Sequence, residues 1–212
     1  MKSIAKLLFS FIFLFSQLSF ADQSQTQNIQ KDQISILFVG DIVLDGQAGK
    51  QIKEGQDPFI GVKDIFAEAD LRIANLECVI ATTGNAIDKN FTFRAHPRTI
   101  SVLSKYVDAV SIANNHSGDF GPQAFSEMLT LLKRQQLPYF GGGANLKQAH
   151  EPLIINKHGY RIALLGYNEF MPRSFEATHN LAGTAWSEDE QVIADIQTAR
   201  TIYRADFVIP FM

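Results

Sequence analysis

Short unbroken apolar runs alternate along this chain with longer stretches in which apolar residues recur every three or four positions. Ile34 to Val39, Leu71 to Leu76, Asp108 to Ala113 and Leu137 to Phe140 are of the first kind. Runs of that length, bounded by turn residues, predict buried strands. Pro58 to Ala69, with Phe59, Val62, Ile65 and Phe66 on one face, predicts a helix, as does Pro97 to Tyr106. A third helix opens at Pro122, a favoured first position for proline, and buries Phe125, Met128, Leu129 and Leu132. Between Glu77 and Asn90 the chain is polar and loop-like, and "FTFRAHP" reads as a short extended piece. Leu153 to Ile155 and Arg161 to Gly166 flank His158-Gly159, a hairpin turn. Ser187 with Glu190 forms a capping box for a helix running to about Arg204, and a last strand begins at Asp206. Strands alternating with helices predict a largely parallel sheet in one domain without repeats.

The predicted strands share a way of ending. The first stops at Gly40-Asp41, the second at Asn75-Leu76-Glu77, the third at Asn114-Asn115-His116 and the fourth at Gly141 to Gly143. In open α/β sheets ligands sit at the carboxyl ends of the strands, so these residues would share one edge. Carboxylates, an asparagine carbonyl and an imidazole suit Mn, Zn, Fe or Mg better than a thiolate-loving metal. Two such ions clamp the attacking and leaving oxygens of a phosphoester. Without metal, a histidine beside two carboxylates serves as a general base.

Taken singly, each residue has a plainer reading. Asp41 is a turn residue, Glu77 a surface acid, Asn114 and Asn115 a turn or helix cap, and His116 a structural histidine. Asp119 reads as the cap of the helix at Pro122, and Gly141 to Gly143 as a tight turn. Cys78 reads as a small buried residue and Trp186 as packing. His96, His150, His158 and His179 fall in loop contexts and receive no role. What points to a site is the conjunction of Asp, Asn/Glu and Asn-Asn-His on three successive strand ends.

Composition narrows the class. The chain has 212 residues, 46% of them hydrophobic, enough for one core. Its formal net charge is −3 and it has no basic run, which excludes a nucleic-acid binder. Its one cysteine, Cys78, excludes an internal disulfide. Residues 1–21 read as a signal peptide: Lys2 and Lys6, an apolar centre from Leu7 to Phe15, and small residues at Ser19 and Ala21. An uncleaved anchor is the weaker alternative, because the apolar stretch is short for a span. Residues 22–33 form a polar flexible leader, and 34–212 the domain. The expected location is periplasmic or secreted, with no membrane span after cleavage. The chain ends inside the strand-like "ADFVIPFM", so a C-terminally truncated product is expected, with a functionless fragment as its extreme form.

Five segments carry a resemblance. "FVGDIVL", "IANLEC", "FTFRAHP", "VSIANNHSGDFG" and "PYFGGGANLKQA" resemble, in order and spacing, motifs of the CapA family of poly-gamma-glutamate synthesis or capsule biosynthesis proteins. That family resembles the calcineurin-like metallophosphoesterases. The resemblance implies a metallophosphatase-like four-layer αββα sandwich, incomplete here at its C-terminus, with a centre for divalent metal ions. It implies Asp41, Asn75, Glu77, Asn115 and His116 as metal residues, with Asn115 and His116 also catalytic and Arg94 meeting an anionic substrate. The expected function is a secreted protein of capsule or poly-gamma-glutamate biosynthesis with a phosphatase-like hydrolase domain. Its substrate would be an anionic polymer or a phosphoester, and its partners other envelope biosynthesis proteins. The alternative is a non-catalytic polymer-binding or assembly protein on a decayed site. Val43, standing where phosphoesterases usually carry a histidine, favours that alternative.

Overall fold

Period-two alternation within two strands decides the layering of the molecule. The computed structural model describes residues 33–171 and 173–212. The expected signal peptide, and the leader apart from Gln33, lie outside the described residues. In chain order the elements are β1 (Ile36–Ile42), α1 (Gly46–Lys53), α2 (Lys63–Ala67), β2 (Leu71–Leu76), β3 (Val79–Ile80), β4 (Arg94–Ala95), α3 (Ile100–Leu103), β5 (Ala109–Ser111), α4 (Gly121–Arg134), β6 (Tyr139–Phe140), β7 (Gly142–Gly143), α5 (Leu146–Ala149), β8 (Leu153–Lys157), β9 (Tyr160–Gly166), β10 (Gly183–Thr184), α6 (Asp189–Thr201) and β11 (Phe207–Phe211).

A parallel sheet in the order β1-β2-β5-β6 lies against a second sheet in the order β11-β9-β8. In β2, Leu71 and Ile73 face the second sheet, whereas Ala74 and Leu76 pack with Phe125, Met128 and Leu132 of α4 and Ile100 and Leu103 of α3. In β9, Ile162 and Leu164 face the first sheet, whereas Ala163 and Leu165 lie in the clusters that hold Ala199, Val192 and Ile196 of α6. Strands buried on both faces explain the near-continuous apolar runs. The layers are therefore α, β, β, α, the metallophosphatase-like sandwich that the resemblance implies.

The two sheets meet glycine on glycine near their carboxyl ends. A Cβ on Gly141 would fall 2.6 Å from the Ala113 methyl and 2.9 Å from Gly166 Cα, and Gly141 holds a φ of +79°. The β8–β9 hairpin turns at His158 and Gly159, both at positive φ, as its sequence predicts.

Several local expectations are corrected. The helix expected from Pro58 to Ala69 is a 3-10 turn at Ile60–Val62 followed by the short α2. Gly61 weakens the helix there, and only Phe66 of its expected face is fully buried, with Val62 and Ile65 exposed. Pro97–Thr99 is likewise a 3-10 turn before α3, capped by the His96 ring accepting from Arg98 N–H. The box expected at Ser187 does not form: α6 starts after Glu188 without a side-chain cap and ends at Thr201. The loop-like stretch after Glu77 contains β3, which pairs with β4. Unforeseen α1 has a single fully buried residue, Ile52, and so little apolar pattern to read.

Candidate functional site

Strand register brings the first residues of the site together. A bulge between Val39 and Asp41 sets Asp41 opposite Asn75, and Asn75 lies opposite Ser111 of β5. Asn75 Nδ2 donates to Asp41 Oδ1 at 2.9 Å and to Glu77 Oε2 at 2.5 Å. Its Oδ1 accepts from Asn114 Nδ2 at 2.9 Å. Asn75 is thus an amide bridge between two carboxylates, with both ends engaged.

The loop after β5 is held by Asn114. Its Nδ2 also donates to the Leu76 carbonyl, and its Oδ1 accepts from the N–H groups of His116 and Ser117. This buried asparagine fixes the loop to β2 and caps its own turn, not the helix at Pro122. His116 then presents two distinct faces. Nδ1 lies 2.6 Å from Asp119 Oδ2, and Nε2 lies 3.8 Å from Glu77 Oε1. The Asp119 carboxylate fixes the proton on Nδ1 and leaves Nε2 toward Glu77.

Asp119 is no helix cap. It is fully buried, and its carboxylate also accepts from Lys89 Nζ at 2.9 Å and Phe93 N–H at 2.8 Å. The cap position of α4 belongs to Phe120. Lys89 additionally donates to the Asn115 carbonyl at 2.9 Å. A fully desolvated carboxylate needs such partners, and sequence reasoning missed both it and Lys89. Lys89 sits in an irregular polar stretch that offers no periodic signal.

Burial raises the Glu77 carboxyl above its ordinary value. The Asn75 hydrogen bond opposes that rise and the Asp41 charge adds to it. Asp41, Asn75, Glu77, Asn114 and Asn115 line a cavity of about 350 Å³ together with Tyr167, Asn168 and Glu169. Those last residues follow β9, so the second sheet also delivers its carboxyl end to the site. Their signal was present in "LLGYNEF", an apolar run ending on Asn-Glu as "IANLE" does. Tyr167 donates to Asp195 Oδ2, which also pairs with His150 Nδ1 at 2.8 Å. His150, in the turn that ends α5, is therefore a paired and mostly buried histidine.

The structure does not bring Arg94 into this group. Its guanidinium donates to the Thr83 and Gly84 carbonyls and lies 4.3 Å from the Phe120 ring centre, fastening the loop before it to α4. A larger groove of about 530 Å³ beside β1 is lined chiefly by apolar residues such as Leu37, Phe59 and Phe66. It gathers no comparable set of polar side chains.

As a donor set, Asp41, Glu77 and the Nε2 of His116 fit a divalent cation in kind: two hard carboxylates and one imidazole. Among the described residues, no three His, Cys, Asp or Glu side chains close into a ready-made cage.

A parallel sheet stacked on a second sheet, flanked by helices and carrying polar residues at the carboxyl ends of both, defines a metallophosphatase-like α/β protein. The chain belongs to the bacterial capsule synthesis protein family PGA_cap, whose sequence model matches residues 35–212. It is 27% identical over 209 residues to the PGA biosynthesis protein CapA of Bacillus subtilis (strain 168), covering 96% of this chain and 54% of that protein. It is 22% identical over 183 residues to the capsule biosynthesis protein CapA of Bacillus anthracis, covering 81% of this chain and 43% of that one. A probable polyglutamine synthesis accessory protein of Mycobacterium tuberculosis is 26% identical over 141 residues, 63% of this chain and 37% of its own. The chain thus spans about half, or less, of the length of these relatives.

Proposed function

We propose that this chain carries the site of a secreted, metal-dependent hydrolase acting on a phosphoester or amide in capsule or poly-gamma-glutamate biosynthesis. The observation that carries the reading is His116: Asp119 holds its Nδ1, while its Nε2 lies beside Glu77. Asp41, Glu77 and His116 would hold the cation, with Asn115 beside them. When bound, a divalent cation supplies a Lewis acid that polarises the oxygen of the scissile group. Asp119, holding the His116 Nδ1, would orient the ring with Nε2 toward the cation and raise its basicity as a ligand. Asn114 and Asn75 keep these groups in register. Secretion rests on the N-terminal pattern of Lys2, Lys6 and the apolar stretch before Ala21.

A specific observation favours the non-catalytic alternative. Asn75 donates to both carboxylates and ties them together without a cation, as a polymer-binding surface on this fold would need. Metal content and hydrolysis of the native protein, compared with Asp41→Ala and His116→Ala, decide between the two. One or more transition-metal ions per chain, lost together with activity in both variants, support the hydrolase. A metal-free protein that still binds polymer overturns it.

A further inference from the structure

The "FTFRAHP" segment supplies nothing to the donor set, yet its Phe93 and Arg94 reach the chain that follows three strands. Phe93 C=O accepts from Val79 N–H at 3.2 Å, just beyond Glu77. Arg94 N–H donates to Asp45 Oδ2 at 2.9 Å, while Asp45 Oδ1 accepts from Gly46 N–H in the turn that leaves β1. Phe93 N–H donates at 2.8 Å to Asp119 Oδ2, the oxygen that meets His116 Nδ1. Lys89 Nζ holds the other oxygen at 2.9 Å. The Asp119 carboxylate is thus fixed at both oxygens, an ammonium on one and a backbone N–H on the other.

A fixed acceptor does not by itself orient an imidazole. The outer side-chain torsion of histidine is broad, so a ring held at Nδ1 is free to pivot about that bond and swing Nε2 away from Glu77. Phe93 supplies the stop. Its ring centre lies 4.5 Å from that of His116, with the planes at 39°, and the same side chain packs against the core under the first sheet. An aromatic pair at this separation adds attraction beyond burial. One residue therefore acts twice on His116: its backbone aims the carboxylate and its ring limits the plane of the imidazole.

We propose that Phe93 is a positioning residue for His116, whose N–H aims Asp119 at Nδ1 and whose ring stops the imidazole from pivoting, so that Nε2 stays beside Glu77. The proposal deepens the reading of His116 as a working residue of the site, and rests on it. It requires a flat ring at this position, beyond mere apolar volume.

The test compares the full chain with Phe93→Leu and Phe93→Tyr. Both variants keep the backbone N–H, so only the ring contact changes. The first readout is carbon relaxation of the His116 ring in EDTA, so that no cation enters. Expected is a rigid imidazole in the parent and in Phe93→Tyr, and an order parameter below about 0.6 in Phe93→Leu. The second is a calorimetric titration with Mn²⁺ alone. Phe93→Leu should bind about three- to tenfold more weakly than the parent, and Phe93→Tyr should restore the affinity. A merely structural role would lower the melting temperature of Phe93→Leu and leave its His116 ring rigid. A rigid ring in folded Phe93→Leu, or a mobile one in the parent, overturns the proposal. Should Phe93→Leu fail to fold, Phe93→Met takes its place; should neither fold, the parent ring decides, rigid in favour and mobile against. Failure of the cation reading shows separately, as a parent that binds no Mn²⁺ while the ring readout still responds to Phe93→Leu.

Discussion

The two ends of the first sheet are both rich in charged and polar side chains, yet they treat them in opposite ways. At the amino end the carboxylates Asp70 and Asp108 have complementary neighbours. Asp108 takes two hydrogen bonds from the Arg72 guanidinium and one from its backbone N–H, each at 2.8 Å. Asp70 accepts from the N–H and hydroxyl of Ser35 and lies 3.0 Å from His158 of the second sheet. At the carboxyl end Asp41 and Glu77 share one amide, the Asn115 and Asn168 amides lack full protein partners among the described residues, and His116 presents Nε2 to a carboxylate. Polar residues that close on one another hold strands together, and polar residues left incomplete await something else. Pairing, more than polarity, separates the two ends.

That contrast is breakable at four points. The largest effect is expected at His116: replacing it by alanine should lower hydrolysis by roughly 10²–10⁴-fold while the melting temperature stays close to that of the parent. Equal loss of both in a thermal melt and a rate assay would move His116 to the structural side. Asp119→Ala should act in the opposite manner, leaving Lys89 and Phe93 N–H without their buried acceptor. A cost of about 3–5 kcal/mol, read by urea denaturation, is expected, and a value under about 1 kcal/mol would mean that water replaces the carboxylate freely.

Two smaller tests use pH. Burial and the nearby Asp41 raise the Glu77 carboxyl against the pull of Asn75, so ionising it costs stability. Its contribution is complete at acid pH and declines as pH rises through its raised folded value. Glu77→Gln should therefore raise Tm at neutral pH by on the order of 2 °C and converge with the parent in acid; a constant offset would contradict the assignment. At the amino end the sign reverses. Burial alone would raise the Asp108 carboxyl, but the Arg72 hydrogen bonds and charge outweigh it and hold it below its ordinary value. That stabilisation is present above the unfolded value and is lost as pH falls through the folded one. Asp108→Asn should cost about 1 kcal/mol at neutral pH and less in acid, as denaturant midpoints across pH will tell.

Much of this was legible in the chain. Strands buried on both faces announce themselves as apolar runs, and the first sheet's strand ends gave Asp41, Glu77, Asn115 and His116 directly. The helices near Pro58 and Pro97 were overdrawn, because apolar spacing there is real but Gly61 and the 3-10 turns shorten them. Asp119 was misread because a carboxylate before a proline-started helix ordinarily caps it, and only the distant Lys89 and Phe93 reveal otherwise. Asn168 was missed because the sequence does not say that a second sheet points its strand ends to the same place.

The contact of Gly141 with Gly166 has a consequence for genetics. Neither residue has a side chain to touch a ligand or carry a proton. Even so, one added methyl at Gly141 would press on Ala113, at the head of the His116 loop, and on the strand that leads to Asn168. In a screen for loss of function, alanine at either glycine would score like an active-site lesion. The cause would be wedged architecture with the chemistry untouched, and a compensating change should then be sought in the facing residue.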